Sequence, residues 1–80
     1  MEQNWDDVKH LAGRNLRICM SDGSMEDFWQ LDTERRELVP LRDYSGNITG
    51  YGVWLWSYMN IEFPRELKIR PISELLSFYP

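Results

Sequence analysis

Between Gly52 and Met59 the chain alternates two sets of apolar residues. Val53, Leu55 and Met59 fall on one side of an extended backbone, and Trp54, Trp56 and Tyr58 on the other. A two-residue period is that of a β-strand. A strand apolar on both faces either lies between two layers or presents an aromatic platform to a partner. Upstream, Leu16, Ile18 and Met20 alternate with Asn15, Arg17 and Cys19, which predicts a strand with one inner face. Ser21-Asp22-Gly23-Ser24 supplies turn chemistry, with Asp-Gly the strongest hairpin signal in the chain. The return strand spans 25–31 and carries Met25, Asp27, Trp29 and Leu31 on one side. Asp32-Thr33-Glu34 reads as a turn or bulge. A third strand, 36–41, places Leu38 and Pro40 opposite Val39 and Leu41. Pro40 has no N–H to give to a ladder, so the strand ends there or lies at an edge. Residues 43–50 form a polar, glycine-rich loop before the aromatic strand. After it, residues 60–64 read as a connection, and Leu67 and Ile69 alternate with Lys68 and Arg70 as a last strand.

Helical spacing occurs only at the two ends. Trp5, Val8, Leu11 and Ala12 share one face of a short helix over 5–12, with Asn4 as N-cap, Asp6 and Asp7 in the first turn and Gly13 at C′. At the other end Pro71 suits a first helical turn, and Ile72, Leu75, Leu76 and Tyr79 follow the i, i+3, i+4, i+7 pattern. The expected architecture is therefore mainly β (α+β). It is either a small five-stranded SH3-like or Sm-like barrel or a strongly bent antiparallel sheet, with short N- and C-terminal helices. A flat sheet with both helices on one face is the alternative.

Composition narrows what such a fold can be. Eighty residues make one domain, spanning 1–80. A chain of this size buries only about 60–65 % of its unfolded surface. Much of the supply of four Trp, four Tyr and three Phe is thus needed for core. Cys19 stands alone and forms no internal disulfide, and no apolar run is long enough to span a bilayer. The start of the chain lacks the basic and apolar stretches of a signal peptide. The expectation is a cytoplasmic protein without membrane contact. The net charge of −4 is uneven: residues 1–34 carry −5 and residues 35–80 carry +1. An acidic chain disfavours general nucleic-acid coating, which draws on clustered Lys and Arg, and leaves room only for a local basic strip in the second half.

Three pieces of that second half resemble the WYL domain, a small Sm-like barrel common in bacterial transcription regulators. They are Arg36-Glu37-Leu38-Val39-Pro40-Leu41, then Gly52-Val53-Trp54-Leu55-Trp56-Ser57-Tyr58, then Leu67-Lys68-Ile69-Arg70-Pro71-Ile72. Order and approximate spacing agree over residues 35–76. The name-giving Trp-Tyr-Leu reads Val53-Trp54-Leu55 here, Pro71 stands where the family has an Arg, and no helix-turn-helix accompanies the pieces. The resemblance implies a ligand- or nucleic-acid-sensing role, with Arg36, Lys68 and Arg70 as anion contacts.

Each candidate site has two uses. Trp54, Trp56 and Tyr58 form either a stacking or docking ladder or one side of a doubly buried strand. Arg35, Arg36, Arg65, Lys68 and Arg70 make either an anion-binding strip or a solvated face salt-bridged to Glu66 and Glu37. His10, with Asp6 and Asp7 at helical distance, lacks a nucleophile beside it and reads as a surface residue. Cys19 reads as a structural thiol. One His and one Cys are too few for a four-ligand zinc site within one chain. The acidic residues Asp22, Glu26, Asp27, Asp32 and Glu34 match no calcium loop and read as a solvated face. Asn47-Ile48-Thr49 fits the glycosylation pattern by chance. No catalytic constellation, cofactor or metal is expected. The sequence points to a small non-enzymatic binding module, holding a protein partner or a second copy of itself through the aromatic strand and the terminal helix. A WYL-like sensor and an acidic inhibitor or immunity-type protein of a mobile element are the alternatives.

Overall fold

The computed structural model describes residues 4–59 and 66–78, and these form a mainly β protein whose antiparallel strands curl into a half-barrel. The strands are β1 (Asn15–Cys19), β2 (Met25–Leu31), β3 (Val39–Arg42), β4 (Ile48–Ser57), β5 (Leu67–Pro71) and β6 (Leu75–Phe78). This is the strongly bent antiparallel sheet that the run of short strands predicts.

The long strand β4 organises the sheet. Its first half pairs with β3 and its last residues with β2, while β5 ladders along the opposite side from Gly52 to Trp56. The chain then turns through a 3-10 turn, Ile72–Glu74, and β6 pairs with β1. One continuous segment therefore joins the β4 side of the order β4-β2-β1 to the β1 side, which is what curls the sheet. Gly52 sits where the three strands meet, facing Val39 on one side and Pro71 on the other. A Cβ there would lie 3.0 Å from Ile69 Cγ2 and 3.2 Å from the Arg70 carbonyl oxygen, so the close approach of β5 depends on the missing side chain.

The inside of the curl is filled by alternate residues of three strands: Leu16 and Ile18 from β1, Trp29 and Leu31 from β2, Val53 and Leu55 from β4. Val8 closes one end, and Leu38, Ile72 and Leu75 pack around the rim.

The ends of the chain depart from the helical expectation. The segment over 5–12 is two 3-10 turns, Trp5–Asp7 and Lys9–Leu11, with Val8 between them fully buried and Ala12 exposed. Eight residues are too few to sustain an α-helix unaided, and short pieces readily settle as 3-10. The predicted cap is real: Asn4 Oδ1 accepts the Asp6 N–H at 2.9 Å and Asp7 Oδ2 accepts the Asn4 N–H at 2.8 Å. At the C-terminal end, helical spacing extends only through the 3-10 turn, and Leu75 opens a strand instead. Unpaired backbone groups along β1 are satisfied by that strand, a gain a marginal terminal helix could not match. Tyr79 lies outside the described residues, as does the predicted connection over 60–64.

Three strand details also shift. β3 starts at Val39 rather than 36, and it lies at the sheet edge with Pro40, as the missing N–H requires. The loop read over 43–50 is a tight hairpin turn, so β4 begins at Ile48. Asp43 closes that turn by accepting the Ser45 and Asn47 N–H groups, and Gly46 takes φ +86°. In β2 a bulge between Leu16 and Ile18 of the partner strand changes the phase. Glu26, opposite Ile18, therefore turns inward with Trp29 and Leu31, while Met25 and Asp27 are exposed.

Candidate functional site

Strand register decides which face of the aromatic strand is core. Val53, Leu55 and Ser57 are buried inside the curl, so Trp54, Trp56 and Tyr58 point outward and are half-buried. Residues paired across an antiparallel ladder share a face. Trp54 is opposite Ile69, and Trp56 is opposite Leu67 on β5 and Gln30 on β2. Phe28 shares this face two residues before Gln30. The Trp56 and Tyr58 rings meet edge to face with centroids 6.3 Å apart, a favoured aromatic geometry. Tyr58 Oη donates to the Asp27 carbonyl oxygen at 2.7 Å, and the Tyr58 N–H donates to the Phe28 carbonyl at 3.1 Å. These bonds tie the far end of the strip to β2.

Three of the five exposed large apolar residues among those described lie at that same end, the other two, Tyr44 and Ile48, at the β3–β4 hairpin. Phe28 is 36 % exposed, Met25 61 % and Met59 70 %. The outward face of β4 and β5 is thus an aromatic and aliphatic strip that continues to exposed methionines, outside a core that is complete without it. Beside it Arg17 and Asp27 form a two-point ion pair, Nε to Oδ1 at 2.6 Å and Nη2 to Oδ2 at 3.1 Å. That bond holds the Asp27 carboxyl below the usual carboxylate range and raises the Arg17 guanidinium.

At the Trp54 end the arrangement is polar. Asp32, at the close of β2, is a buried carboxylate whose side chain is 7 % exposed. It accepts the Glu34 N–H at 3.1 Å and pairs with Arg35. The pairing brings the Arg35 guanidinium 5.4 Å from the centre of the Trp54 ring, a cation–π contact. Trp54 Nε1 is shut off from solvent without an acceptor. An orphaned buried donor of this kind costs roughly 1–3 kcal/mol.

The three residues named as anion contacts do not converge. Arg36 is exposed in the irregular segment before β3. Lys68 and Arg70 share a strand face as the alternation predicts, but it is the inward one, opposite Leu55 and Val53. Lys68 Nζ sits 4.9 Å from the centre of the buried Trp29 ring and 3.5 Å from Glu26 Oε2. Arg70 pairs with Glu74 on the 3-10 turn. Their acidic partners are thus Glu26 and Glu74, not the Glu66 and Glu37 expected from proximity in sequence. Arg65 lies outside the described residues.

The other candidates have local explanations. Asp22 accepts both the N–H and the hydroxyl of Ser24, which closes the first hairpin and lowers the Asp22 carboxyl. His10 is exposed, and Cys19 is half-buried opposite Met25. Among the described residues no group of three or more His, Cys, Asp or Glu is placed to hold a metal ion, and no helix is long and apolar enough to cross a membrane. A shallow cleft of about 390 Å³ lies at the opposite end of β4, between the β3–β4 hairpin and the 3-10 turn, lined chiefly by Leu41, Tyr51, Pro71 and Ile72.

Sequence reasoning missed the role of Asp32 and Arg35 and the membership of Phe28, Leu67 and Ile69 in the strip. The Asp32–Arg35 spacing of three was the available signal for the first pair. Nothing in sequence fixes which β5 residue faces which β4 residue. No protein-family model, curated protein or solved structure matches this chain.

Proposed function

We propose that this protein is a small non-enzymatic binding module whose outward aromatic strip holds a protein partner or a second copy of the chain. The observation that carries this reading is the outward placement of Trp54, Trp56 and Tyr58 with Leu67 and Ile69, while Val53 and Leu55 separately complete the core. Large aromatic side chains carry a disproportionate share of interface energy, and methionines adapt to varied partner surfaces. The terminal segment enters this reading as strand β6, not as the helix anticipated from its spacing. The same geometry gives less support to a nucleotide or single-strand sensor. Lys68 and Arg70 face inward and each has an acidic partner, whereas Arg36 is exposed in the segment before β3.

The test is sedimentation velocity of the wild type and of Trp56→Ala across a concentration series, together with tryptophan fluorescence against candidate protein partners. The expected result is association that Trp56→Ala weakens at least tenfold with unchanged circular dichroism. A chain that stays monomeric and binds no protein would defeat the reading. Saturable quenching by single-stranded nucleic acid that fades with salt would replace it with the sensor alternative.

A further inference from the structure

We propose that the Arg35–Trp54 end of the strip is a carboxylate-recognition subsite, taking an acidic side chain from an extended and otherwise apolar partner segment. This rests on the binding-module reading and names the chemistry of its partner.

Most of the Arg35 donors lack acceptors. Among the described residues only one Arg35 nitrogen, Nη1, has a hydrogen-bond partner, the Asp32 carboxylate. That bond and the Trp54 ring hold the guanidinium in place at the edge of the strip, with its side chain 43 % exposed. Trp54 Nε1, in the ring Arg35 covers, is closed off from solvent, so the exposed Arg35 nitrogens are the donors a carboxylate can reach. Arg36, next in sequence, is exposed and has no described partner. A pre-positioned guanidinium presents a planar fork of N–H groups that matches a carboxylate, and little further entropy is lost when one binds. The neighbouring face is apolar, so a carboxylate carried on a segment that is apolar elsewhere gains contacts that a free anion lacks. The exposed Glu34 and Glu37 and the net charge of −4 weaken any attraction for a free anion. Recognition therefore needs the carboxylate and the apolar contacts together.

The strip sets the length of the segment. Trp54 and Tyr58 are four residues apart on one strand, about 13 Å. An extended peptide covers that distance with its first, third and fifth side chains on one face. The probe is acetyl-Leu-Thr-Phe-Thr-Asp-amide, compared with the same peptide ending in Asn-amide and with acetyl-Leu-Thr-Phe-Thr-Leu carrying a free C-terminal carboxylate. Binding is followed through the Trp54 indole N–H resonance, assigned by its loss in Trp54→Phe.

The expected result is that the Asp peptide binds at least about tenfold more tightly than the Asn peptide and shifts the Trp54 indole resonance. Arg35→Lys, which keeps the charge opposite Asp32 but removes the fork, should reduce the preference to about threefold or less. Arg35→Gln should abolish it. Circular dichroism confirms that both variants are folded. Equal binding of Asp and Asn peptides overturns the subsite and leaves the binding-module reading intact. So does a preference that survives both Arg35 variants. Tight binding of the free-carboxylate peptide alone overturns the assignment to a side chain. Failure of all three peptides overturns the subsite too, and the sedimentation series then decides separately whether the strip binds anything.

Discussion

Lys68 and Trp29 meet inside the half-barrel, the ammonium 4.9 Å from the centre of a ring that is only 2 % exposed. Glu26 completes the contact, since its Oε2 accepts the Trp29 indole N–H at 2.7 Å and lies 3.5 Å from Lys68 Nζ. β2 and β5 do not pair with each other but flank β4 on its two sides, so this polar bridge links them across the inner face of β4. Glu26→Ala would leave the indole N–H of a buried tryptophan without its acceptor, at a cost of roughly 1–3 kcal/mol. Lys68→Ala should cost less, about 0.5–1 kcal/mol, because its side chain is 32 % exposed and the pair is partly screened. Urea unfolding of both variants and of the double variant checks this. A coupling energy near zero would show that the two side chains act independently.

Two glycines on β4 should respond oppositely to the same substitution. Gly52→Ala drives a methyl group against Ile69 and the Arg70 carbonyl, and backbone cannot yield as a side chain tip can. The expected loss is about 1–3 kcal/mol. Gly50 takes no positive φ, and a Cβ there meets nothing within 4 Å. Gly50→Ala should be neutral or stabilising by up to about 1 kcal/mol, because it removes unfolded-state freedom at no steric cost. Thermal unfolding of the pair distinguishes them, and equal destabilisation would contradict the close approach of β5 to Gly52.

Acid should act on the first hairpin before the core. Asp27 and Asp22 both have carboxyls lowered from an ordinary value of 3.8, the first by the Arg17 hydrogen bond and the second by Ser24. A carboxylate whose folded value is lowered contributes its full stabilisation above the unfolded value. That contribution is lost as pH falls below about 3.8 and through the lowered folded value. The Arg17 guanidinium is raised further by Asp27, so its contribution persists throughout neutral pH. Both carboxylates are solvent-accessible, so the effect is small and weakens with salt. Asp27→Asn should flatten the acid limb of a stability–pH curve between about pH 4 and pH 2. An unchanged limb would mean that other carboxylates control it.

Much of this sheet is legible in local pattern, and what is not legible depends on partners distant in sequence. The alternation of Val53 and Leu55 with Trp54 and Trp56 gives the strand and its two faces, but only pairing with Leu31 and Trp29 shows which face is core. Lys68 and Arg70 alternate with Leu67 and Ile69, and polarity alone would turn the charged pair outward. The opposite holds because Ile69 must cover Gly52 and Trp54, while the long stems of Lys68 and Arg70 reach acidic partners in Glu26 and Glu74. Sequence periodicity could not show the β2 bulge either, since one extra residue inverts the phase of Met25 and Asp27 relative to Trp29.

The N-terminal segment gives the sharpest distinction between pattern and structure. An amphipathic α-helix over 5–12 would bury Val8 and Ala12 together, four residues apart on one face. The paired 3-10 turns bury Val8 to 2 % exposure and leave Ala12 in solvent. Val8→Ala should therefore cost about 1–3 kcal/mol, as truncation of a fully buried side chain does. Ala12→Lys should change stability by less than about 0.5 kcal/mol, as surface substitutions do. Chemical denaturation with a common slope for both variants makes the comparison. If Ala12→Lys destabilised as strongly as Val8→Ala, the segment would dock as a continuous helix and the 3-10 geometry would be excluded in solution.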